Sequence, residues 1–278
     1  MRASLPALSA TADVYDISYN FYPGGRQGML NFGNAISGGR ARTSRERFMN
    51  HAMNDSLPIV YLARHGETAW SLTGQHTGLT DLPLTERGEK NAVRLGERLA
   101  GLDFARVFKS PMQRASRTCE LAGFGGAAEV DRHLVEWNYG DYEGLRTVEI
   151  HARHGNWQLF RDGCPGGESP SEVGARADEV VRRLRGINGD VLIFSSGHFL
   201  RVLAARWLGI EPAAGRFLSL NTASLSAFGY ENNLSRPAIR FWNHTHHLEE
   251  KSKLKSKYES DPTFTQSWPE PLARQHHS

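Results

Sequence analysis

Cysteine is scarce in this chain of 278 residues: Cys119 and Cys164 are the only two. Two thiols cannot form a disulfide framework, and their scarcity points to a reducing compartment or to indifference to redox state. No run approaches the roughly 18 consecutive apolar residues of a membrane-spanning helix. The first residues also lack the apolar core of a secretory signal. A charge excess is missing too: 33 Lys and Arg face 30 Asp and Glu, a formal net charge of +3. That balance is too even to recruit a nucleic acid or an anionic membrane by electrostatics alone. The chain is therefore expected to be cytoplasmic, with neither nucleic acid nor membrane as partner. Glycine and proline show no period, which excludes a collagen-like chain. The remaining composition, 39% hydrophobic and 23% charged, is that of an ordinary globular protein, with twelve histidines as its one oddity.

The chain reads as three parts. Residues 1–55 carry glycine-rich punctuation (Pro23-Gly24-Gly25, Gly38-Gly39) and a basic run from Arg40 to Arg47. They lack a periodic apolar pattern and are expected to be a disordered extension. The aromatic stretch Asp13 to Tyr22 could instead pair as an added strand, and Asp13 and Asp16 argue against an organellar transit peptide. Met53 is a natural start, because organised sequence begins at Leu57. Residues 56–243 alternate strand and helix patterns. Residues 244–278 include an almost fully charged run, Glu249 to Lys257, followed by Pro269 and Pro271, and are expected to be a disordered tail. His244, His246 and His247 have no matching second ligands there and read as solvated side chains.

Within the middle part, Ile59 to Ala63 is a short apolar run of the kind buried in a parallel sheet. Thr85 caps a helix from Glu86 to Ala100 whose apolar positions Ala92, Leu95 and Leu99 step by three and four. Phe104 to Phe108 predicts a second strand, and Ser110-Pro111 predicts the start of the next helix. Ser169-Pro170-Ser171-Glu172 is a capping box opening a further helix. Asp190 to Phe194 predicts a third buried strand, with a helix through Leu200 and Trp207 closed by Gly209. Two alternating segments near Ala223–Tyr230 and Ala238–Trp242 suggest a hairpin. The order predicts an α/β fold: a three-layer α/β/α sandwich with a mostly parallel central sheet and helices on both faces.

Chemistry-bearing residues gather at the ends of these strands. Arg64-His65 follows the first, Ser110 with Arg114 follows the second, and Gly197-His198 follows the third. Ligands of open α/β sheets bind outside the carboxyl ends of strands. Two guanidinium forks suit a phosphoryl group. One imidazole can attack phosphorus, and another can stabilise charge on the transferring oxygens. Arg146 and Arg201 lie near these motifs and could reach the pocket, with surface salt bridges as the more expected fate. Cys119 reads as core filler.

The signature Arg64-His65-Gly66-Glu67-Thr68 resembles that of the histidine phosphatase, or phosphoglycerate mutase-like, superfamily. Supporting motifs lie in the expected order: Gly78 to Thr85 with Gly88, Ser110 to Ala115 with Thr118, Leu134 to Gly144 around Glu136, and Gly197-His198. The resemblance spans about residues 57–243, some two thirds of the chain. It implies that His65 is the nucleophile that becomes phosphohistidine and that Glu136 is the general acid and base. It further implies that Arg64, Arg114 and His198 form the phosphate pocket, with no metal and no cofactor.

Within the family, the short stretch from Glu136 to His198 favours a phosphatase over a mutase, as does Ser71 where mutases usually carry Asn. Gly74 to Asp81, Glu136 to Gly144 and Trp157 to Glu168 are similar to the fungal sedoheptulose-1,7-bisphosphatase branch. That likeness adds Ser71, His76, Thr77 and Tyr139 as substrate-binding residues, with His76 standing where an aromatic hydroxyl is common. The expected function is a metal-independent phosphatase of a small phosphorylated metabolite, a sugar phosphate or bisphosphate. The alternatives are a 2,3-bisphosphoglycerate-dependent phosphoglycerate mutase and a binding module on an inactive phosphatase fold.

Overall fold

The computed structural model describes residues 57–249. The expectations for residues 1–55 and for the tail beyond 249 lie outside the described residues. In chain order the elements are β1 (Val60–Arg64), α1 (Ala69–Thr73), α2 (Glu86–Leu99), β2 (Arg106–Lys109), α3 (Gln113–Leu121), β3 (Ala128–Val130), α4 (Thr147–Arg153), α5 (Leu159–Asp162), α6 (Pro170–Arg185), β4 (Val191–Ser195), α7 (Gly197–Trp207), β5 (Leu225–Tyr230) and β6 (Pro237–His244). The sheet runs β3-β2-β4-β1-β5-β6. The first four strands of that order pair in parallel, while β5 pairs antiparallel with β1 and with β6.

Strand alternation produces the three layers. All five residues of β4 are buried. Val191 and Ile193 face one core with Val173, Val180 and Leu184 of α6 and Leu200, Leu203 and Trp207 of α7. Leu192 and Phe194 face the opposite core with Leu95 and Leu99 of α2 and Cys119 of α3. Side chains of successive strand residues point to opposite faces, so a strand buried on both needs apolar residues at every position. Trp207 is fully buried and stacks on Phe228 at 5.3 Å. Truncating it to Ala would cost about 3–5 kcal/mol.

Local signals set several boundaries as expected. Thr85 accepts from Gly88 N at the start of α2. The Ser169–Glu172 capping box opens α6 with Pro170 in its first turn. Gly209 follows α7 with φ +76°, a left-handed stop.

Other boundaries differ. Ser110-Pro111 does not open α3; the helix starts at Gln113, and Met112 caps it without a side-chain bond. The Asp81 carboxylate supplies the missing acceptor, taking the Gln113 N–H at 2.8 Å from a remote loop. Strand β2 begins at Arg106 because Phe104 is turned into an aromatic contact with Tyr61 and Phe124, each at 5.5 Å. The short edge strand β3 has no apolar run to announce it. Regular structure also continues past the expected boundary at 243, through the end of β6 and a 3₁₀ turn at His246–Leu248. Hydrogen bonds rather than apolar periodicity anchor that turn: Arg94 donates to Leu248 O and His247 to Ala223 O.

Candidate active site

Adjacent parallel strands β1 and β4 deliver the centre of the site. The His65 N–H donates to Ser195 O at 2.9 Å, which fixes the residue after β1 against the end of β4. Gly66 is needed because the start of α2 packs against it: a Cβ there would stand 2.5 Å from Gly88 O. Gly197 has a similar role, since a Cβ would lie 3.1 Å from the Arg64 guanidinium carbon.

His65 is buried, and its Nδ1 lies 2.7 Å from Gly66 O. A carbonyl only accepts, so Nδ1 carries the proton and Nε2 keeps its lone pair. Burial first, then the charges of Arg64 and Arg114, push its pKa well below the ordinary imidazole value. The ring is therefore neutral at neutral pH, with a lone pair on Nε2.

Arg64 donates through Nη1 to Leu220 O. Arg114 is fully buried and holds the loop after α1, donating to Thr77 O at 3.2 Å, Gly78 O at 2.8 Å and Thr80 O at 3.0 Å. Both Nε atoms are buried without a partner among the described residues. A buried unsatisfied donor is costly, so its persistence at a site is itself informative. Two such donors beside His65 suit an anionic ligand. Arg114 lies behind the cavity rather than in its wall, since the lining residues do not include it.

His198 occupies the first turn of α7, where the helix dipole favours anions. The Tyr139 hydroxyl lies 2.5 Å from its Nδ1. Burial, aided by Glu136 and Cys164, raises the Tyr139 phenol well above its ordinary value, so it stays protonated. Burial, then Arg201, His76 and Arg64, pushes His198 well below its own. A neutral phenol can donate to a neutral Nδ1, and we assign that direction, which leaves the imidazole hydrogen on Nε2 as a donor.

Glu136 is buried, and its carboxyl oxygens accept from three backbone N–H groups. Oε1 takes Trp137 at 2.9 Å and Phe199 at 2.7 Å, and Oε2 takes His198 at 2.9 Å. These bonds tie it to the N-terminus of α7 beside His198. Behind it, Arg176 donates to the carbonyls of His133, Val135 and Glu136 and pairs with Glu168.

A cavity of about 260 Å³ is lined by Arg64, His65, Glu136, His198, Tyr139, Ser71, His76 and Thr77 among others. Eight of the nine expected residues thus meet in one wall, with Arg114 behind it. Their contributions differ from expectation. The Ser71 hydroxyl is committed to the cap of α1, accepting from Thr68 N at 2.8 Å and donating to Thr68 O at 2.9 Å. Thr77 reaches Arg114 through its carbonyl. The His76 ring packs 4.8 Å from that of Tyr139 and 5.6 Å from that of Trp157, with Nε2 3.3 Å from Thr147 Oγ1.

Arg201 also lines the cavity, contrary to the surface salt bridge expected of it. It donates to Gly215 O and Arg216 O, each at 3.0 Å, and lies over the Phe160 ring at 4.5 Å. Its position three residues after His198 put it on the same helix face, a signal present in the sequence. Arg146 does make the expected exposed ion pair, with Glu149. Cys119 is buried in the core, and burial pushes the Cys119 and Cys164 thiols up to about 12, which leaves both unreactive. Among the described residues no group of three His, Cys, Asp or Glu side chains is placed to hold a metal ion, and no helix is long and apolar enough to cross a membrane.

A mostly parallel sheet that gathers two arginines, two histidines and a carboxyl group beside its strand ends defines a phosphoryl-handling α/β enzyme. The chain belongs to the histidine phosphatase superfamily (branch 1), whose family model matches residues 60–245. It is 41% identical over 184 residues to an acid phosphatase of Mycobacterium tuberculosis, covering 65% of this chain and 90% of that protein. It is 36% identical over 190 residues to sedoheptulose 1,7-bisphosphatase of Saccharomyces cerevisiae, covering 57% of this chain and 70% of the relative. The solved structure of an open reading frame product of Mycobacterium tuberculosis superposes with a TM-score of 0.64 at 38% identity, covering 68% of this chain and 98% of that one. The chain is thus a phosphatase acting on phosphoric monoesters.

Proposed function

We propose that the chain hydrolyses a small phosphorylated metabolite, a sugar phosphate or bisphosphate, without a metal and through phospho-His65. The observation that carries this reading is the buried His65 ring, tied through Nδ1 to Gly66 O, with a free Nε2 in a cavity walled by Arg64 and His198. Nε2 attacks phosphorus, the N–P bond forms and the ester P–O bond breaks. Glu136 gives its proton to the departing alcohol oxygen. Arg64 and the Nε2–H of His198 stabilise charge on the phosphoryl oxygens, and Arg114 adds its positive field from behind the wall. Water then attacks phosphorus, its proton passes to Glu136, and the N–P bond breaks to release phosphate.

Arg201 supports a substrate with a second anionic group. It lies in the same cavity without a carboxylate partner among the described residues, its charge reaches His198, and its fork can take a second phosphate. The likeness to sedoheptulose 1,7-bisphosphatase agrees with that choice.

The test is an assay of sedoheptulose bisphosphate, fructose bisphosphate and simple phosphate esters, run beside interconversion of 3- and 2-phosphoglycerate primed with 2,3-bisphosphoglycerate. Hydrolysis is expected to dominate and to survive exhaustive chelation. His65→Ala should lose on the order of 10⁴-fold in kcat, and acid-quenched parent enzyme should carry acid-labile phosphate. Mutase turnover above the best hydrolysis rate, or a His65→Ala enzyme near parental activity, would reject the reading.

A further inference from the structure

The residues beyond the expected domain boundary reach the catalytic main chain. The loop between the 3₁₀ turn Pro212–Phe217 and β5 crosses the end of β1. Arg64 N donates to Ser224 O at 3.2 Å, and Ala223 N donates to His65 O at 3.0 Å. Arg64 Nη1 bonds Leu220 O in the same loop, and Leu220 lines the cavity. His65 is therefore held from β4 on one side and from Ala223 on the other.

Ala223 is fully buried and sits at φ +54°, the left-handed region that a residue with a Cβ rarely adopts. Such a conformation costs about 1–2 kcal/mol and persists only where the surroundings impose it. The surroundings here are the strap from Trp242 to Leu248. His247 Nε2 lies 2.9 Å from Ala223 O, and because that oxygen only accepts, Nε2 donates. Asn243, itself at φ +57°, takes the Asn221 N–H at 2.7 Å. Trp242 Nε1 donates to Ser219 O at 2.6 Å. The far end of the strap is fastened to α2, where Arg94 donates to Leu248 O at 2.9 Å. The two left-handed non-glycine residues of the described chain thus lie on opposite sides of one seam, Asn243 of the strap bonded to Asn221 and Ala223 of the active-site loop bonded by His247.

We propose that His247 is a positioning residue for the reaction: its bond to the Ala223 carbonyl holds the residue whose own N–H anchors the His65 carbonyl. This rests on the reading of His65 as nucleophile. Misplacing a reacting atom by a fraction of an ångström slows chemistry far more than it weakens the fold.

The test compares His247→Leu, which keeps apolar volume without a donor, with His247→Gln, whose amide N–H can reach the same carbonyl. His246→Ala serves as control, since His246 is exposed and touches Glu249 rather than Ala223. Each is made in the full chain, melted, and assayed on p-nitrophenyl phosphate well below its melting temperature. Expected is a fall in kcat on the order of tenfold for His247→Leu with KM within about twofold, recovery of most of the loss in His247→Gln, and parental rates for His246→Ala. The proposal is overturned if His247→Leu keeps parental kcat, if the Gln variant is as slow as the Leu variant, if the control is equally slow, or if only KM moves. A Leu variant that fails to fold leaves the Gln variant to decide: near-parental kcat supports the proposal, and a loss like that of an unpositioned nucleophile ends it. An inactive parent would instead reject the phosphatase reading, and an active His65→Ala enzyme the nucleophile.

Discussion

Replacing Glu168 by Ala would strand the guanidinium that carries the main chain of Glu136. In the parent, Arg176 forks onto Glu168 with contacts of 3.0 and 2.9 Å, and the two side chains are only 13% and 21% exposed. The same guanidinium donates to Val135 O at 2.8 Å and lies 4.5 Å from the centre of the Phe199 ring. The carboxylate meanwhile takes the Asn138 N–H at 2.8 Å. Removing it leaves a largely buried cation and an unpaired amide. Breaking a fully buried pair costs about 3–5 kcal/mol, and the residual exposure reduces this to about 2–3 kcal/mol. For a domain of this size the melting temperature should drop by roughly 5–10 °C.

Thermal unfolding followed by circular dichroism at pH 7 measures that drop. Arg176→Met and the double variant complete the cycle, and a coupling of at least about 1 kcal/mol is expected between neighbours that share partners. The double variant, having no stranded charge, should melt above Glu168→Ala. Turnover below the melting range should also fall by on the order of tenfold in Glu168→Ala, since the backbone on either side of Glu136 loses its brace. A melting shift under about 2 °C together with no measurable coupling would refute the reasoning, since it would mean that the pair is solvated rather than structural.

Tyr139→Phe removes the donor that places the His198 hydrogen on Nε2, so kcat should fall by on the order of tenfold or more, with the pH–rate profile displaced; an unchanged profile would reject the tautomer assignment. The depressed pKa values of His65 and His198 make the unliganded enzyme acid-sensitive. Below the ordinary imidazole value of about 6.5 the unfolded chain binds protons that the folded chain refuses. Stability is therefore flat above that pH and falls beneath it, by up to about 1.4 kcal/mol per pH unit from His65 and by less from the more exposed His198. Urea midpoints between pH 7.5 and 5 should show a shallower slope in His65→Asn, and equal slopes would contradict the assignment. Gly197→Ala presses a methyl against the Arg64 guanidinium, so inorganic phosphate should inhibit it more weakly than the parent; an unchanged inhibition constant would show that Arg64 can yield.

What the sequence revealed and what it hid follow one physical distinction. The apolar residues of β4, the stripe of α2 and the Ser169–Glu172 box are local patterns in side-chain type, and each appears where expected. The site residues were legible because strand ends converge and because their motifs stand in a family's order. The supports of the site were not, since their acceptors are mostly main-chain carbonyls. Arg114 bonds the carbonyls of Thr77, Gly78 and Thr80, Arg176 those of His133, Val135 and Glu136, Arg201 those of Gly215 and Arg216, and Arg94 that of Leu248. Every residue carries a carbonyl, so an acceptor of this kind leaves no mark in residue identity. The same blindness placed the domain boundary at 243, because His247 is tied to Ala223 by a backbone oxygen and the turn around it has no apolar period. In this fold, arginines and a histidine that bond remote carbonyls do for the loops around the cavity what apolar stripes do for the sheet, and side-chain pattern reveals only the second.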